Sequence, residues 1–262
     1  MLNTEELVSE LGPYAKPCST DVKDVLHEIK KGNVFVISSG SMLAFNSEHL
    51  DSGTAATQTF GIGDPLGFAE TLLQQPLTMT FKSIGPVSLL RIKGDLVKQV
   101  VNKSGVLAKE IIRYSLARIY DRSRKRPNVL FEDWLLEKYK LQIVRVVFEA
   151  DETIFSAEST PDAMFFIEEG RVDLLTDNRK ILATLQVTDC FGEASLISSR
   201  KRSVTAVASR KCVLLRLDGA LVEKEIRSEH PLVQLSVIQL LRQVHLMNQM
   251  RLVKSSDSIF SN

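Results

Sequence analysis

The chain has 262 residues, 44% of them apolar and 25% charged, with 33 basic against 32 acidic side chains and a net charge of +1. That length suits two domains of roughly 130 residues, and the composition excludes a disordered or fibrous chain. A balanced charge gives no general field for nucleic acid or an anionic membrane, so any anion site has to be local.

The opening stretch, MLNTEELVSELG, is acidic and lacks the basic-then-apolar order of a secretory leader, which predicts a cytoplasmic protein. NVFVISSGSMLAF (33–45) reads as an apolar strand, Gly40, then a second alternating strand. GIGDPLG (61–67) is read as a turn, because its spacing and Pro65 break a dinucleotide fingerprint. From residue 94 the spacing of Val97, Val101, Leu107, Ile111, Ile112 and Leu116 predicts helices. These give way to SRKRPN, where Pro127 stops the helix and sets a boundary between domains 1–127 and 128–262. The basic run Arg122, Arg124, Lys125 and Arg126 is read as a solvated linker, since no aromatic residue interleaves with it as a stacking platform. A new amphipathic segment around Phe131, Trp134 and Leu135 opens the second half.

AMFFIEEGRVDLL (163–175) mirrors the first hairpin, with Gly170 opposite Gly40, and residues 192–217 overlay 67–92 without a gap. A period of about 125 to 130 residues is a duplicated domain, not a solenoid. Near the end, HPLVQLSVIQLLRQVHLMNQMRLV predicts an amphipathic helix with Val233, Val237, Leu240, Leu241, Val244 and Met247 on one face, followed by a frayed polar tail. The apolar strand runs are too short to cross a bilayer as helices, so no membrane partner is expected. Cys18, Cys190 and Cys212 are far apart and form no CxxC pair, which predicts idle thiols and no metal site.

The segment FGEASLISSRKRSVTA (191–206) concentrates the chemistry. Gly192 permits a tight turn, and the small Ala194 and Ser195 let backbone N–H groups approach a ligand. Arg202 offers a fixed guanidinium for phosphate oxygens, with Ser203 and Thr205 as hydroxyl donors. Glu193 cannot serve a phosphate but can accept from a sugar hydroxyl, so the two charges together ask for a ribose phosphate. The plainer alternatives are a surface ion pair on a loop, or a basic-directed phosphorylation site at Ser203.

The run Phe191, Gly192, Glu193, then Leu196, Arg202 and SVTAVA resembles the phosphate-binding cassette of cyclic nucleotide-binding domains. The order of segments around it is similar to that family over residues 140–250, and in weaker form over 20–120. The resemblance implies an α+β, mainly β, fold: two β-roll (jelly-roll) domains with flanking helices, in tandem as in protein kinase A regulatory subunits. It implies that Glu193 binds the ribose 2′-hydroxyl and Arg202 the cyclic phosphate, with amides near Gly192 and Ala194 completing the cradle. The expected ligand site is Phe191, Gly192, Glu193, Ala194, Ser195, Arg202, Ser203 and Thr205. Cyclic AMP is preferred over cyclic GMP, although an arginine followed by serine occurs on both sides of that division.

The first repeat departs from the pattern, with Phe68 opposite Glu193 and Leu77 opposite Arg202. Losing two charge-assisted hydrogen bonds of about 1.5–3 kcal/mol each weakens binding by roughly two to four orders of magnitude. Glu70 faces Ser195 and would need a shifted turn to replace the lost acid. This half is expected to be a dimerisation or docking module, or to hold an apolar ligand. After Pro231 too little chain remains for a helix-turn-helix, and residues 1–30 hold no basic pseudosubstrate stretch, so DNA binding and kinase inhibition by that route are not expected. His27, His49, His230 and His245 are scattered, and the acid pairs Glu132 with Asp133 and Glu168 with Glu169 do not converge, so no catalysis is expected. The expectation is a cyclic nucleotide sensor whose C-terminal helix closes over the base through Leu240, Leu241 and Val244, or re-pairs with a second copy in a homodimer. Its downstream partner would be a protein effector. The rival is an interaction scaffold that binds no nucleotide.

Overall fold

Alternating apolar runs that need a covered face, interrupted by Gly40 and Gly170, fold as long bent strands in two antiparallel sheets. The computed structural model describes residues 4–18, 22–46, 57–73, 79–120, 137–187, 189–198 and 201–257. The basic run at 122–126, Pro127, the Phe131–Leu135 segment, His49 and Leu77 lie outside the described residues, as do the side chains of His245 and Met247. Two compact units account for the fold.

The first unit contains α1 (Thr4–Glu10), β1 (Ala15–Cys18), α2 (Val22–Lys30), β2 (Asn33–Asn46), β3 (Thr57–Phe60), β4 (Pro65–Leu66), α3 (Phe68–Leu73), β5 (Met79–Lys93), α4 (Gly94–Lys103) and α5 (Val106–Tyr120). Its sheet runs β1-β5-β2-β3, with β4 on β2. Phe35, Ile37, Met42, Phe60, Leu66, Phe81 and Leu89 fill the core, where Phe60 meets Phe81 edge-on at 6.0 Å. The helical stripe from Val97 to Leu116 is buried, as its spacing requires.

The second unit spans Tyr120–Ser228. It contains β6 (Ile143–Phe148), β7 (Thr153–Phe155), β8 (Ala163–Leu175), β9 (Ile181–Gln186), β10 (Cys190–Phe191), α6 (Glu193–Ser198), β11 (Thr205–Asp218) and α7 (Gly219–Arg227). The sheet order is β10-β8-β11-β6, with β7 on β11 and β9 on β8. Gly170 bends β8 at φ +99°, where an added Cβ would lie 2.5 Å from the Lys211 carbonyl oxygen, and the β8–β11 register shifts beside it. The two units repeat one another element by element: β4, α3 and the start of α4 correspond to β10, α6 and the start of α7 at an offset of about 125 residues.

The expected α+β fold of two antiparallel sheets with flanking helices is present, with helix and strand in about equal shares among the described residues because α5 and the C-terminal helix α8 (Pro231–Asp257) are long. One expectation is corrected: α8 belongs to the first unit and not to the second. Its Leu246 enters the first core beside Phe35 and Phe60. Instead of one apolar stripe, α8 is buried on every side from Leu232 to Leu241, polar residues included. Periodicity identifies an apolar face but not the surface that face will meet. Among the described residues, no helix is long and apolar enough to cross a membrane.

Candidate functional site

The chemistry-bearing segment lies in the second unit, between a two-residue strand and a short helix. Phe191 in β10 stacks on Phe165 at 5.3 Å and contacts Phe155 at 5.9 Å. It is a core anchor that fixes the turn. Gly192 follows at φ +88°, and an added Cβ would meet Arg202 Nη1 at 2.9 Å and the Ala163 carbonyl oxygen at 3.2 Å. Only a glycine leaves room there for the guanidinium.

Arg202 is fixed through its backbone as well as its side chain. Its N–H donates to Ser159 O at 3.0 Å, and its carbonyl accepts from Glu158 N at 2.8 Å. Its side chain is only 1% exposed. Nη1 donates to Gly192 O and Nη2 to Ala163 O, both at 2.6 Å, while the guanidinium carbon lies 4.2 Å above the Phe155 ring. Asp162 Oδ1 stands 3.6 Å from Nη2, and its other oxygen pairs with Arg216 at 3.0 Å. Burial pulls the Arg202 pKa below its ordinary value, opposed by the charges of Asp162 and then Glu193. The group remains a cation at any ordinary pH.

Glu193 begins α6 and is 3% exposed; Ser195 is buried beside it and Ala194 is half-buried. Leu196 leans on the head of α7, where a Cβ on Gly219 would meet its Cδ2 at 2.6 Å. Thr205 Oγ1 accepts the Ala157 N–H at 3.0 Å, so this hydroxyl ties the loop after β7 to the start of β11. Ser203 is exposed. The structure therefore gathers Gly192, Glu193, Ala194, Ser195 and Arg202, puts Phe191 into the core and leaves Ser203 to solvent. Reading the sequence misses Asp162, the Ala163 carbonyl and the Phe155 ring. Nothing in spacing places the head of β8 beside the residue ahead of β11; the signal is the β10–β8 pairing Phe191↔Phe165, which brings Gly192, and with it the Arg202 side chain, to the head of β8.

A buried acid and a buried guanidinium on one turn can recognise a molecule that offers hydroxyls and an anion together. Residues 145–229 match the Cyclic nucleotide-binding domain family. The matched stretch takes in all eight candidate residues, from Phe191 to Thr205. The chain is similar to the cAMP-dependent protein kinase regulatory subunit of Eremothecium gossypii, with 44% identity over 57 residues, covering 22% of this chain and 12% of that one. It is also similar to the Schizosaccharomyces pombe cAMP-dependent protein kinase regulatory subunit, at 26% identity over 119 residues, covering 40% and 29% of the two chains. It therefore spans 12% and 29% of the length of these curated relatives. Among solved structures, cAMP-bound PfPKA-R is 16% identical with a TM-score of 0.40, covering 86% of this chain and 74% of that one.

Proposed function

We propose that the second unit binds a 3′,5′-cyclic nucleotide, cyclic AMP in particular, and that the protein acts as a sensor that signals to a protein effector. The observation that carries this reading is the burial of Glu193 and Arg202, at either end of the short segment around α6, within the matched stretch. Arg202 Nε is buried and has no hydrogen-bond acceptor among the described residues. A buried donor without an acceptor costs about 1–3 kcal/mol, and a phosphate oxygen would recover it. In this reading the Glu193 carboxylate accepts from the ribose hydroxyl, and the guanidinium and nearby amides hold the phosphate.

Signal transfer would begin with α6. A ligand that draws the cassette inward displaces Leu196, and with it the head of α7 at Gly219. Binding then shifts a population between two arrangements of these helices. The regulatory relatives support the sensing role, and the named cyclic AMP dependence of those proteins supports the choice of base.

One observation favours a scaffold instead: Arg202 already makes two short carbonyl bonds and a ring contact without any ligand. Calorimetric titration with cyclic AMP and cyclic GMP separates the two readings. The sensor binds cyclic AMP more tightly than cyclic GMP at about one site per chain, and Glu193→Ala abolishes the heat. The scaffold gives no heat with either nucleotide.

A further inference from the structure

In the first unit, the turn that mirrors the cassette is engaged by the chain itself. Phe68 and Glu70 stand at the positions of Glu193 and Ser195, and Asp64 lies just ahead of β4. All three are bound by α8. Asp64 forms an ion pair with Arg242, while its Oδ2 accepts the Gly61 N–H at 2.8 Å. Gln243 Nε2 donates to Glu70 Oε1 at 3.3 Å, and Gln239 Oε1 accepts the Phe68 N–H at 2.5 Å. The Arg242 guanidinium also lies over the Phe60 ring at 5.6 Å.

Gln239, Arg242 and Gln243 are spaced i, i+3, i+4, so they form a single edge of the helix. Both glutamines are fully buried, and Asp64 and Glu70 are buried as well, at 6% and 4% exposure. Amides and carboxylates are rarely taken out of water by an ordinary packing face, because each then needs a partner of matching chemistry. Here the carboxylate meets a cation, the amide oxygen meets a backbone N–H, and the second carboxylate meets an amide N–H. Leu246 extends the same seat into the apolar core.

The start of α8 is held in the same unit. Glu229 Oε1 accepts the Gly105 N–H at 2.8 Å, Gln234 Nε2 donates to Glu229 O at 2.8 Å, and His230 Nδ1 accepts the Leu232 N–H at 3.2 Å.

We propose that the first unit is a helix receptor, whose turn from Gly61 to Glu70 recognises a helix carrying a Gln-x-x-Arg-Gln edge, and that α8 is its resident, tethered ligand. The replacement of the acid and arginine by Phe68 and Leu77 in this repeat then accompanies a helix as its ligand. The inference does not depend on nucleotide binding in the second unit.

Two measurements on the full chain test it. The first is hydrogen exchange at the Phe68 amide in Asp64→Asn, Arg242→Gln and the double variant. Arg242→Gln strands the buried Asp64 carboxylate and Asp64→Asn the half-buried Arg242 guanidinium, so each should speed exchange at least tenfold, whereas the double variant should exchange no faster than either single one. Effects that multiply in the double variant overturn the recognition pair. The second uses a fluorescent peptide of residues 229–257 added to the full chain carrying Gln239→Ala, Arg242→Ala and Gln243→Ala. The wild-type peptide should bind this chain and not the wild-type protein, where the tethered helix outcompetes it. A peptide with the same three alanines should bind neither. Failure of the wild-type peptide to bind, or equal binding of the alanine peptide, overturns the proposal. If the triple variant does not fold, the exchange cycle decides alone.

Discussion

Replacing Arg202 by alanine should destabilise the second unit with no nucleotide present. The substitution strips the Gly192 and Ala163 carbonyls of their 2.6 Å partners, and each buried group so stranded costs about 1–3 kcal/mol. Losing the face-on contact with Phe155 at 4.2 Å adds about 0.5–2 kcal/mol. The Asp162 pair adds little, since that carboxylate is 69% exposed and screened by solvent. Against these losses stands relief of the burial that pulls the Arg202 pKa down. A net loss of about 2–4 kcal/mol follows, which for a unit of roughly 110 residues lowers its Tm by about 8–16 °C. Calorimetric melting of the full chain, with hydrogen exchange at residues 155–165 and 202–208 to assign the transition, measures the effect. Glu193→Gln is the control: it keeps the shape of the side chain and should abolish nucleotide binding while moving stability by less than about 1 kcal/mol. An Arg202→Ala protein within about 0.5 kcal/mol of wild type would refute the view that this guanidinium braces the turn.

Gly192→Ala should cost about 1–3 kcal/mol, since it combines a left-handed backbone with a Cβ at 2.9 Å from Arg202 Nη1, and it should lower nucleotide affinity in the same titration. A second effect concerns alkaline pH: burial and then the Glu225 hydrogen bond push the Tyr139 pKa up to about 12. The stability this contributes is complete below pH 10 and is lost as pH rises from 10 to about 12; Tyr139→Phe should abolish that alkaline loss in urea melts. At the other end, Glu225 is held below its ordinary value chiefly by the Tyr139 hydroxyl, so its contribution is present above about pH 4.5 and is lost as pH falls below it. Thiol labelling should modify Cys18, which is partly exposed, in the native chain, and reach Cys190 and Cys212 only after unfolding; burial raises the Cys212 pKa as well.

Much of this fold is legible in the sequence because local rules and the repeat agree. The alternation through 33–45 and 163–175, the glycines at their bends and the ungapped overlay of 67–92 on 192–217 place the strands and the turn before α6. The charges at Glu193 and Arg202 are legible for the same reason: side chains that cost so much to bury are informative when they occupy one turn. What stays hidden depends on partners distant in sequence. Phe191 reads as part of a ligand motif, yet its ring completes an aromatic cluster with Phe155 and Phe165, and only the β10–β8 pairing brings them together. Gln239 and Gln243 read as the wet face of an amphipathic helix, because hydropathy cannot see that Phe68 and Glu70 offer matching hydrogen bonds.

Those two hidden cases show one turn answered in two ways. After β4 and after β10 the chain makes the same turn, through Gly67 at φ +81° and Gly192 at φ +88°, into a six-residue helix. Either turn places polar groups in an apolar setting that has to be answered. In the second unit the guanidinium comes from Arg202, ten residues along the same segment, with its Nε left without an acceptor among the described residues. In the first unit the guanidinium comes from Arg242, more than a hundred residues away, and it carries a whole helix with it. A local arginine keeps its position when a small ligand leaves. An arginine on α8 can leave only together with its helix, so any partner that displaced it would expose Asp64, Glu70 and the Leu246 seat at once. On the two proposals, recognition in the first unit is tied to a large rearrangement, while recognition in the second is complete within the short segment around α6.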